Sequence, residues 1–423
     1  MKKILILTSQ YLPKPSANGI NTKYIVDELV KRGYDVSIMS YKNEKESDYE
    51  FIDNVKIYRI TKSLYSNLLE LERVKRKNKL SKLIFKIIHL FRKLKLTLLI
   101  WKFPNFDFYQ NIKTYRKLNK IYNDERFDCI IGVFKPYSNI YALKRFKRNN
   151  KNVLCIGYYL DLMNSHKRPK IMPKALYKHL ILKEEISNFK ALDYSFIPDI
   201  VNDVYSSNEY YSFVNKIQYV DFPTFLSFDN LNFNTVSNSD KIKFIYAGTL
   251  DKEYRNPRLM LKSLQKISKY FKINIELDVY GKNNCDEILN EYNYENLKIN
   301  NLGIKNHNLI LKKMMESDFI INISNKLEDA IPSKIFEIFS FGKPVINYVF
   351  DKNDKSKIYF EKYPLTFNFN EWNNFEESAV NLKNFIMKNK GKVCDYKKNK
   401  ELFKKNTPEY TVNLIENNLL KFY

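Results

Sequence analysis

Glycine is scarce in this sequence, with only nine among 423 residues. No G-x-G-x-x-G pattern occurs, although a dinucleotide-binding turn needs such glycines so that its backbone can approach the pyrophosphate. This absence argues against a dinucleotide-dependent dehydrogenase.

Cysteine is also rare, and the four cysteines lie far apart, at positions 129, 155, 285 and 394. They form neither a C-x-x-C pair nor any other metal-ligand spacing. Three of them lie in or next to apolar, strand-like segments, so we expect buried thiols in a reducing compartment.

Long apolar runs are missing as well. No stretch reaches the roughly 18 apolar residues that a membrane-spanning helix needs. The apolar run within Met1–Thr8 is too short for the core of a signal peptide, and it predicts a first buried strand instead. These absences predict a cytoplasmic protein, with attachment to a surface left open.

Positive charge is abundant. Lysine and arginine total 72 against 47 acidic residues, which gives a formal net charge of +25. Such a balance predicts anionic partners: nucleic acid, phosphorylated substrates or an anionic membrane face. Hydrophobic residues make up 44% of the chain, so it is expected to be globular, and its length suits two to three domains.

Strand-like and helix-like segments alternate along the chain in two series, separated by the polar stretch Ser227–Asp240. This alternation predicts a parallel sheet covered by helices in each series. The predicted strands are Lys3–Thr8, Val36–Ser40, Val55–Arg59, Asp128–Phe134, Val153–Tyr159, Lys243–Ala247, Ile273–Tyr280, Asp318–Ser324 and Pro344–Tyr348. The predicted helices are Asn21–Arg32, Arg258–Tyr270, Asn308–Ser317, Glu376–Asn389 and Val412–Phe422.

The two series predict an α/β protein of two Rossmann-like domains. We expect the N-terminal domain over residues 1–225 and the C-terminal domain over 241–405, joined by a linker at 226–240. A last helix is expected within 406–423, and its packing on the N-terminal domain is left open. Ligands of such sheets bind at the carboxyl ends of the strands.

The most informative stretch is Asp329-Ala-Ile-Pro-Ser-Lys-Ile-Phe-Glu337, followed by a Gly-Lys-Pro-Val run that begins at Gly342. Pro332 and Ser333 are typical of a helix start, and Gly342 of a helix end. A helix start offers free backbone N–H groups and a positive dipole end to a phosphate. Glu337 falls about one turn inside this helix, within reach of a sugar hydroxyl. Because serine-capped strand–turn–helix units occur in any α/β protein, a purely structural role is the alternative.

An acidic residue, seven intervening residues, a glutamate and then Gly-Lys-Pro-Val together resemble the donor-site signature of family 4 glycosyltransferases. These are retaining, nucleotide-sugar-dependent enzymes with the GT-B fold, in which two Rossmann-like domains face each other across a cleft. The family usually has glutamate at the first position, whereas this chain has Asp329 with Glu328 beside it. The resemblance spans most of the chain and is strongest over Lys243–Ile346.

The resemblance implies transfer of a sugar from a nucleotide-diphosphate donor, expected to be a UDP-sugar, with retention of the anomeric configuration. It implies that Glu337 binds the ribose or the sugar and Asp329 the sugar hydroxyls, next to a helix start formed by Pro332, Ser333 and Lys334. No cofactor is expected. The chain has no Asp-x-Asp motif and no clustered His or Cys, so we expect transfer without a metal.

A second donor-side candidate follows the first strand of the C-terminal domain, where Gly248 precedes Lys252 and Arg255. Glycine lets a backbone approach a ligand, and the two cations can neutralise a diphosphate, as an Arg/Lys pair does here in the family. The alternative is a solvated loop with two ordinary surface cations. Gly281, after the next predicted strand, is expected near the nucleotide base by the same resemblance.

The loop between the first strand and the first helix resembles the family's glycine-containing loop, whose backbone N–H groups approach the donor phosphate. Gly19 is its one glycine, where the family often has two, and plain turn geometry is the alternative. On the acceptor side, Asp161 is expected to position or deprotonate an acceptor hydroxyl, or to stabilise developing positive charge. His166 is the other candidate there, and ordinary loop polarity is the competing explanation.

Residues 73–105 are basic throughout and contain no Asp or Glu. Apolar residues recur in this stretch at helical spacing and predict an amphipathic helix that ends near Trp101. Such a helix can lie in the interface of an anionic membrane, and the alternative is a core-facing helix with a solvated basic back. Nucleic acid is disfavoured, because no nucleic-acid-binding motif accompanies the charge.

The sequence therefore predicts a glycosyltransferase that acts on a saccharide, expected to be lipid-linked, at the inner face of a bacterial membrane. Capsule, O-antigen or exopolysaccharide assembly would be the setting. One alternative is a nucleotide-sugar epimerase of similar fold, which needs no acceptor. The other is a non-catalytic basic protein that binds a membrane or nucleic acid.

Overall fold

The structure is a computed structural model that describes residues 2–13, 15–43, 46–63, 86–87, 89–91, 94, 97–163, 168–169, 171–227, 241–324 and 334–423. It divides into two compact units. Unit 1 comprises Met1–Pro223 and Pro408–Tyr423, and unit 2 comprises Thr224–Thr407. Most of the predicted linker, residues 228–240, lies outside the described residues.

The sheet of unit 1 has eight strands in the described part of the chain. They are β1 (Lys3–Leu7), β2 (Asp35–Tyr41), β3 (Tyr49–Ile52), β4 (Val55–Ile60), β5 (Cys129–Phe134), β6 (Leu154–Tyr159), β7 (Tyr194–Ile197) and β8 (Ile217–Tyr219). Their order is β3-β4-β2-β1-β5-β6-β7-β8. All neighbours pair in parallel except β3 and β4. Because β5 and β6 are buried along their whole length, they are continuous apolar runs rather than alternating ones.

The antiparallel edge strand β3 was not predicted from the sequence. Its tight connection to β4 uses Asp53 and Asn54, whose φ angles of 52° and 63° are both left-handed. Two successive residues of this kind make a hairpin turn that matches the twist of the strands. The Asp-Asn pair was therefore a usable signal for a hairpin.

Helices cover the sheet of unit 1: α1 (Ala17–Lys31), α2 (Phe108–Asp124), α3 (Tyr137–Asn149), α4 (Lys174–Ala191) and α5 (Asn202–Tyr205). Helix α1 begins at Ala17 rather than at the predicted Asn21. The reason is its cap, because the Ser16 Oγ accepts a hydrogen bond from the Gly19 N–H at 3.2 Å. A serine at this position satisfies an N–H that would otherwise lack a partner in the first turn.

Unit 2 contains a second sheet, parallel throughout its described strands. These are β9 (Lys241–Ala247), β10 (Asn274–Tyr280), β11 (Leu297–Gly303), β12 (Phe319–Ile323), β13 (Val345–Val349) and β14 (Thr366–Asn370), in the order β11-β10-β9-β12-β13-β14. Its helices are α6 (Arg258–Phe271), α7 (Asp286–Glu291), α8 (His307–Glu316), α9 (Lys334–Ser340), α10 (Lys357–Lys362), α11 (Phe375–Asn389) and α12 (Tyr396–Leu402). The predicted strands around Ile245, Leu277, Ile321 and Ile346 are confirmed.

The last helix, α13 (Pro408–Phe422), belongs to unit 1 and packs on α1. The Arg32 side chain joins the two helices, since its Nη1 lies 2.6 Å from both Glu416 Oε2 and Asn413 Oδ1. The Tyr423 hydroxyl lies 3.1 Å from the carbonyl oxygens of both Asp128 and Asn152, and its one proton is donated between them. Helix α13 and Tyr423 are therefore joined to the rest of unit 1 by hydrogen bonds of Arg32 and Tyr423.

The predicted amphipathic stretch 73–105 lies partly outside the described residues, which omit 64–85 and several later positions. Those that are described between 86 and 98 are helical. Their apolar side chains, including Phe91 at 69% and Leu98 at 72%, are exposed, as is Trp101 at 62%. Among the described residues, no helix is long and apolar enough to cross a membrane.

Candidate functional site

Each sheet has one topological switch point, where strands from the earlier part of the chain lie on one side and later strands on the other. We call it the reversal point. In unit 2 this point lies between β9 and β12, because β10 and β11 extend one side of the sheet and β13 and β14 the other. Open α/β sheets bind ligands outside the carboxyl ends of the strands at such a point. Gly248 follows β9 there, and Ser324 and then α9 follow β12.

Glu337 lies on α9 and is only 3% exposed. Its Oε2 lies 3.2 Å from Nε2 of His307, the first residue of α8. Burying a carboxylate is costly unless polar partners compensate, and this contact supplies one such partner. The structure therefore places a buried carboxylate and an imidazole together.

Aromatic packing holds α9 in place beneath Glu337. The rings of Phe336 and Tyr359 meet edge-to-face at 4.7 Å, and Phe339 stacks on Tyr363 at 4.5 Å and on Phe403 at 4.9 Å. Such ring pairs stabilise a packed core beyond the area that they bury. The backbone that carries Glu337 is therefore fixed by the packing of several aromatic side chains.

The first half of the predicted donor motif lies outside the described residues. This applies to Asp329 with its neighbour Glu328, and to Pro332 and Ser333 at the expected helix start. Lys334 is the first described residue of α9 and is exposed. The contact of Asp329 with a sugar and the phosphate site at Ser333 remain predictions.

The two predicted diphosphate-neutralising cations differ in their surroundings. Lys252 is exposed, and its Nζ lies 2.9 Å from Glu287. This hydrogen bond raises the pKa of Lys252, which therefore stays charged. Arg255 lies beside Tyr246, where burial raises the pKa of the Tyr246 hydroxyl to about 12 and the guanidinium limits the rise. Arg255 thus lies near the end of β9, whereas Lys252 lies at the surface beside Glu287.

Three glycines bring the loops after β9, β10 and β11 together. The Gly281 N–H donates to the Gly303 carbonyl at 2.8 Å, and the Gly248 N–H donates to the Tyr280 carbonyl at 2.9 Å. A Cβ on Gly281, whose φ is +124°, would lie 2.1 Å from the Gly248 oxygen. Glycine is therefore required at position 281 for the two loops to approach each other, a requirement that exists without any ligand.

Gly19 lies in the first turn of α1 and not in the preceding loop as predicted. Its N–H donates to the Ser16 Oγ, and a Cβ at this position would lie 2.0 Å from the Gln10 carbonyl oxygen. The predicted free backbone N–H is therefore engaged in capping the helix. The glycine is explained by the close approach of the Gln10 carbonyl.

Unit 1 has its own cavity of about 500 Å³ at the reversal point between β1 and β5. Its size falls in the range of small-molecule sites. Most of its lining side chains carry amide or hydroxyl groups, together with two lysines and one aspartate. They include Ser9, Gln10, Ser16, Asn18, Tyr41, Lys62, Asp107, Gln110, Asn111, Lys135, Tyr137 and Ser138.

Hydrogen bonds among the lining residues fix the wall of this cavity. The Tyr41 hydroxyl lies 2.6 Å from the Ser138 Oγ. Asp107 caps α2 by accepting from the Gln110 N–H at 3.1 Å, and its other oxygen accepts from the Ser63 hydroxyl at 2.6 Å. These hydrogen bonds therefore fix part of the cavity wall.

The predicted acceptor residue Asp161 is half exposed and forms an ion pair with Lys135, at 3.4 Å between Oδ2 and Nζ. Since Lys135 also lines the cavity of unit 1, the structure brings Asp161 to its edge. The other candidate, His166, lies outside the described residues. No group of three or more potential metal ligands is found among the residues that the structure describes.

No protein-family model and no curated protein matches the sequence. Solved structures do match in three dimensions. The lipopolysaccharide outer core galactosyltransferase WaaB in its apo form has a TM-score of 0.57 and 9% identity, and the match covers 100% of both chains. The catalytic domain of starch synthase IV from Arabidopsis thaliana, bound to ADP and acarbose, has a TM-score of 0.58 and 9% identity over 100% of this chain and 99% of the other.

A third match is the E. coli structure described as trehalose-6-phosphate and bound with UDP-2-fluoro glucose. It has a TM-score of 0.60 and 10% identity, with 99% of each chain covered. The chain has the GT-B fold. The predicted fold class is confirmed, with one Rossmann-like sheet in each unit, parallel except for the edge strand β3 of unit 1. At identities this low, the likeness establishes the GT-B fold and not the activity.

Two features of this GT-B chain were not found from the sequence. His307 and Glu337 are separated by 30 positions, and only the adjacent placement of α8 and α9 brings them into contact. The unit 1 cavity collects side chains from several loops, with no spacing that marks them as a group. For the cavity, the usable signal was position at the carboxyl ends of predicted strands. His307 gave no such signal, because the strand before it, β11, was not predicted.

Proposed function

We propose that this protein is a retaining glycosyltransferase of the family 4 type, which uses a nucleotide-diphosphate sugar as donor and a saccharide as acceptor. The observation that carries the proposal is Glu337, a buried carboxylate at the reversal point of the unit 2 sheet in a chain with the GT-B fold. An ionised carboxylate only accepts hydrogen bonds, which suits the paired hydroxyls of a ribose or a sugar.

The remaining donor contacts follow from charge. Arg255 and Lys252 neutralise the diphosphate, Arg255 from beside Tyr246 at the end of β9 and Lys252 from the surface beside Glu287. The helix start around Ser333 adds backbone N–H groups, and Asp329 accepts from the sugar hydroxyls. The proposed donor is a UDP-sugar. UDP-2-fluoro glucose, named with one solved structure, supports this donor, and ADP, named with another, supports a nucleoside diphosphate.

In the proposed reaction, the bond between the anomeric carbon and the diphosphate oxygen breaks, and its electron pair leaves with the diphosphate. The acceptor oxygen bonds to the same face of the anomeric carbon, and its proton passes to the departing diphosphate. Preorganised cations and N–H groups stabilise the charge that develops on the leaving group. No metal is assigned a role in this scheme.

The acceptor is proposed to bind in the unit 1 cavity, whose amide and hydroxyl lining suits a neutral polyol. Asp161, held by Lys135 at the cavity edge, would orient an acceptor hydroxyl. We propose a lipid-linked saccharide of a bacterial surface polysaccharide as this acceptor. The outer core galactosyltransferase among the solved relatives supports that setting.

A thermal-shift screen with nucleoside diphosphates and their sugars tests the donor assignment. A ligand that binds the folded state raises its apparent stability by mass action, by about 2.7 kcal/mol at one hundred times Kd. We expect UDP or a UDP-sugar to raise the Tm of the wild type and to raise that of Glu337→Gln by less. If no nucleoside diphosphate shifts the wild type, the proposal fails.

Product analysis separates the transferase from the epimerase alternative. The protein is incubated with the binding nucleotide sugar alone and then with added saccharides. A transferase releases the nucleoside diphosphate and forms a new glycoside only with an acceptor, apart from slow hydrolysis. An epimerase instead changes the sugar while it stays attached to the nucleotide, and that result would favour the alternative.

We also propose that unit 1 binds peripherally to an anionic membrane through residues 73–105. The exposed apolar side chains of Leu94, Leu98 and Trp101 favour this over a core-facing helix. Helix α4 adds support, because its own carboxylates do not neutralise its exposed cations. Lys144 and Tyr137 engage Glu184. Tyr205 and Tyr210 engage Glu185. The exposed cations of α4 are Lys174, Lys178, Lys183 and Lys190.

A further inference from the structure

The contact between His307 and Glu337 joins two helices of unit 2 that arise on opposite sides of the sheet's reversal point. Helix α8 follows β11, and α9 follows β12. The Nε2 to Oε2 distance is 3.2 Å. This distance is short enough for an imidazole N–H at Nε2 to donate a hydrogen bond to the carboxylate oxygen.

The two side chains differ in exposure, and this difference suggests that His307 orients Glu337 rather than the reverse. The Glu337 side chain is 4% exposed, whereas the His307 side chain is 32% exposed. A carboxylate offers about four acceptor positions on two oxygens. A donor that fixes one position also fixes the rotation of the carboxylate plane, and hence the direction in which the remaining positions point.

The backbone at His307 is fixed by hydrogen bonds at the start of α8 and at the end of the preceding strand. It is the first residue of α8, and the Asn306 side chain caps that helix by accepting from the Asn308 N–H at 2.9 Å. Before it, the Gly303 carbonyl accepts from the Gly281 N–H. Helix α8 is anchored by the buried Ile310 and Met314. The imidazole is therefore presented from a fixed backbone and not from a free loop.

We propose that His307 is a positioning residue that holds the Glu337 carboxylate in the orientation required to accept hydrogen bonds from the ribose or sugar hydroxyls of the donor. This rests on the proposed function of Glu337. Precise orientation of a functional side chain by a second hydrogen bond commonly decides how well a site works. His307 acts through Glu337 and needs no contact with the nucleotide.

A double-mutant cycle tests this, with UDP affinity measured by isothermal titration calorimetry for the wild type, His307→Ala, Glu337→Gln and the double variant. We expect His307→Ala to weaken UDP binding about tenfold, within the range of coupling between contacting residues. The double variant should bind no more weakly than Glu337→Gln, because His307 then has no carboxylate to orient. His307→Gln, whose amide can donate, should recover most of the affinity.

The outcomes separate this inference from the proposed function. If Glu337→Gln binds UDP as the wild type does, the proposed function fails. If Glu337→Gln is weakened but His307→Ala is silent, or if the two losses add in the double variant, Glu337 keeps its role and the positioning role of His307 is refuted. His179→Ala, which removes an exposed histidine on α4 in unit 1, is the matched control and should leave UDP affinity unchanged.

Discussion

A single buried arginine holds the first loop of unit 1 in shape. The Arg59 side chain is fully buried, with Nε 2.8 Å from Glu46 and Nη2 2.8 Å from Glu50. Nη2 also donates to the Leu12 carbonyl at 2.6 Å. Through Asn43, Glu46 connects to Gln10, which lines the unit 1 cavity. The network therefore links the sheet edge to the cavity wall.

Replacing Arg59 by methionine removes the charge that pairs two carboxylates in this network. Breaking a buried ion pair by removing one partner costs about 3–5 kcal/mol, and we expect the free energy of unfolding of unit 1 to fall by that amount. Urea denaturation followed by circular dichroism measures the change. Arg145→Met, at an exposed arginine of α3, is the control and should change little. If Arg59→Met lowers the free energy of unfolding by less than about 1 kcal/mol, the effect is comparable to that of an exposed substitution. That result would contradict this account.

Glu185 predicts a pH dependence of stability. Burial raises the pKa of this carboxyl, and hydrogen bonds from Tyr210 at 2.6 Å and Tyr205 at 2.7 Å oppose the rise. The net direction is upward, so the folded state binds the proton more tightly than the unfolded state, whose pKa is about 4.3. This contribution to stability is fully present below the unfolded pKa and is lost as pH rises through the folded pKa.

The measurement compares urea midpoints of the wild type and Glu185→Gln at several pH values from about 4.5 upward. Because glutamine does not titrate, we expect the stability of the wild type relative to the variant to decline as pH rises through that window. A relative stability that stays constant or increases with pH would show that the direction of the shift is wrong.

Glu337 could be proposed from the sequence because the spacing of acidic residue, glutamate and Gly-Lys-Pro-Val is a local pattern, and its role in the site stays a prediction. His307 was not, since its contact with Glu337 depends on how two separate strand–helix units pack. Gly19 was placed wrongly because Ser16 caps α1 earlier than the apolar periodicity suggested. Local sequence patterns thus singled out the carboxylate, whereas the groups that contact it could not be predicted because they are brought together only by tertiary packing.

At the scale of elements, the buried parallel strands were the most predictable part of the fold. β1, β5, β6 and β12 are short apolar runs, which a strand buried on both faces requires. The edge strand β3 was missed because it alternates between exposed and intermediate residues and lacks such a run. Helix α4 was also missed, since its apolar residues do not fall on a single face.

The link between α13 and α1 gives a prediction at this scale. We expect Arg32→Ala to lower the stability of the α1–α13 pair by about 1 kcal/mol, because Arg32 loses its charged hydrogen bond to Glu416 at a partly exposed site. Hydrogen exchange should then speed up in α13 and leave β9 to β14 unchanged. Lys23→Ala breaks an exposed ion pair on the same helix, to Asp27, and should not affect α13. Equal exchange of α13 in both variants would contradict the role given to Arg32.

At the scale of the whole molecule, the net charge of +25 and the exposed apolar residues near Trp101 predict binding to anionic vesicles. We expect the double variant Leu98→Ser/Trp101→Ser to reduce co-sedimentation with vesicles that contain anionic lipid about tenfold. Purely zwitterionic vesicles should bind the wild type weakly, because basic side chains near anionic lipid contribute about 1 kcal/mol each.

Val380→Ser/Met387→Ser is the control for the membrane prediction, because it removes two exposed apolar side chains from α11 of unit 2. It should bind vesicles as the wild type does. If both double variants lose binding equally, or if neither does, residues 73–105 are not the membrane-binding segment. Binding of the wild type to nucleic acid in preference to anionic vesicles would also argue against the membrane proposal.

The central claim is that this GT-B chain moves a sugar from a nucleotide to an acceptor with the help of Glu337. The most direct measurement follows a UDP-sugar labelled with ¹³C at the anomeric carbon by NMR, in the presence of a panel of saccharides. We predict that the labelled carbon leaves UDP and appears in a glycoside of the same anomeric configuration, and that Glu337→Gln abolishes this change. A labelled sugar that isomerises while still attached to UDP, an inverted product, or equal turnover by Glu337→Gln would contradict the claim.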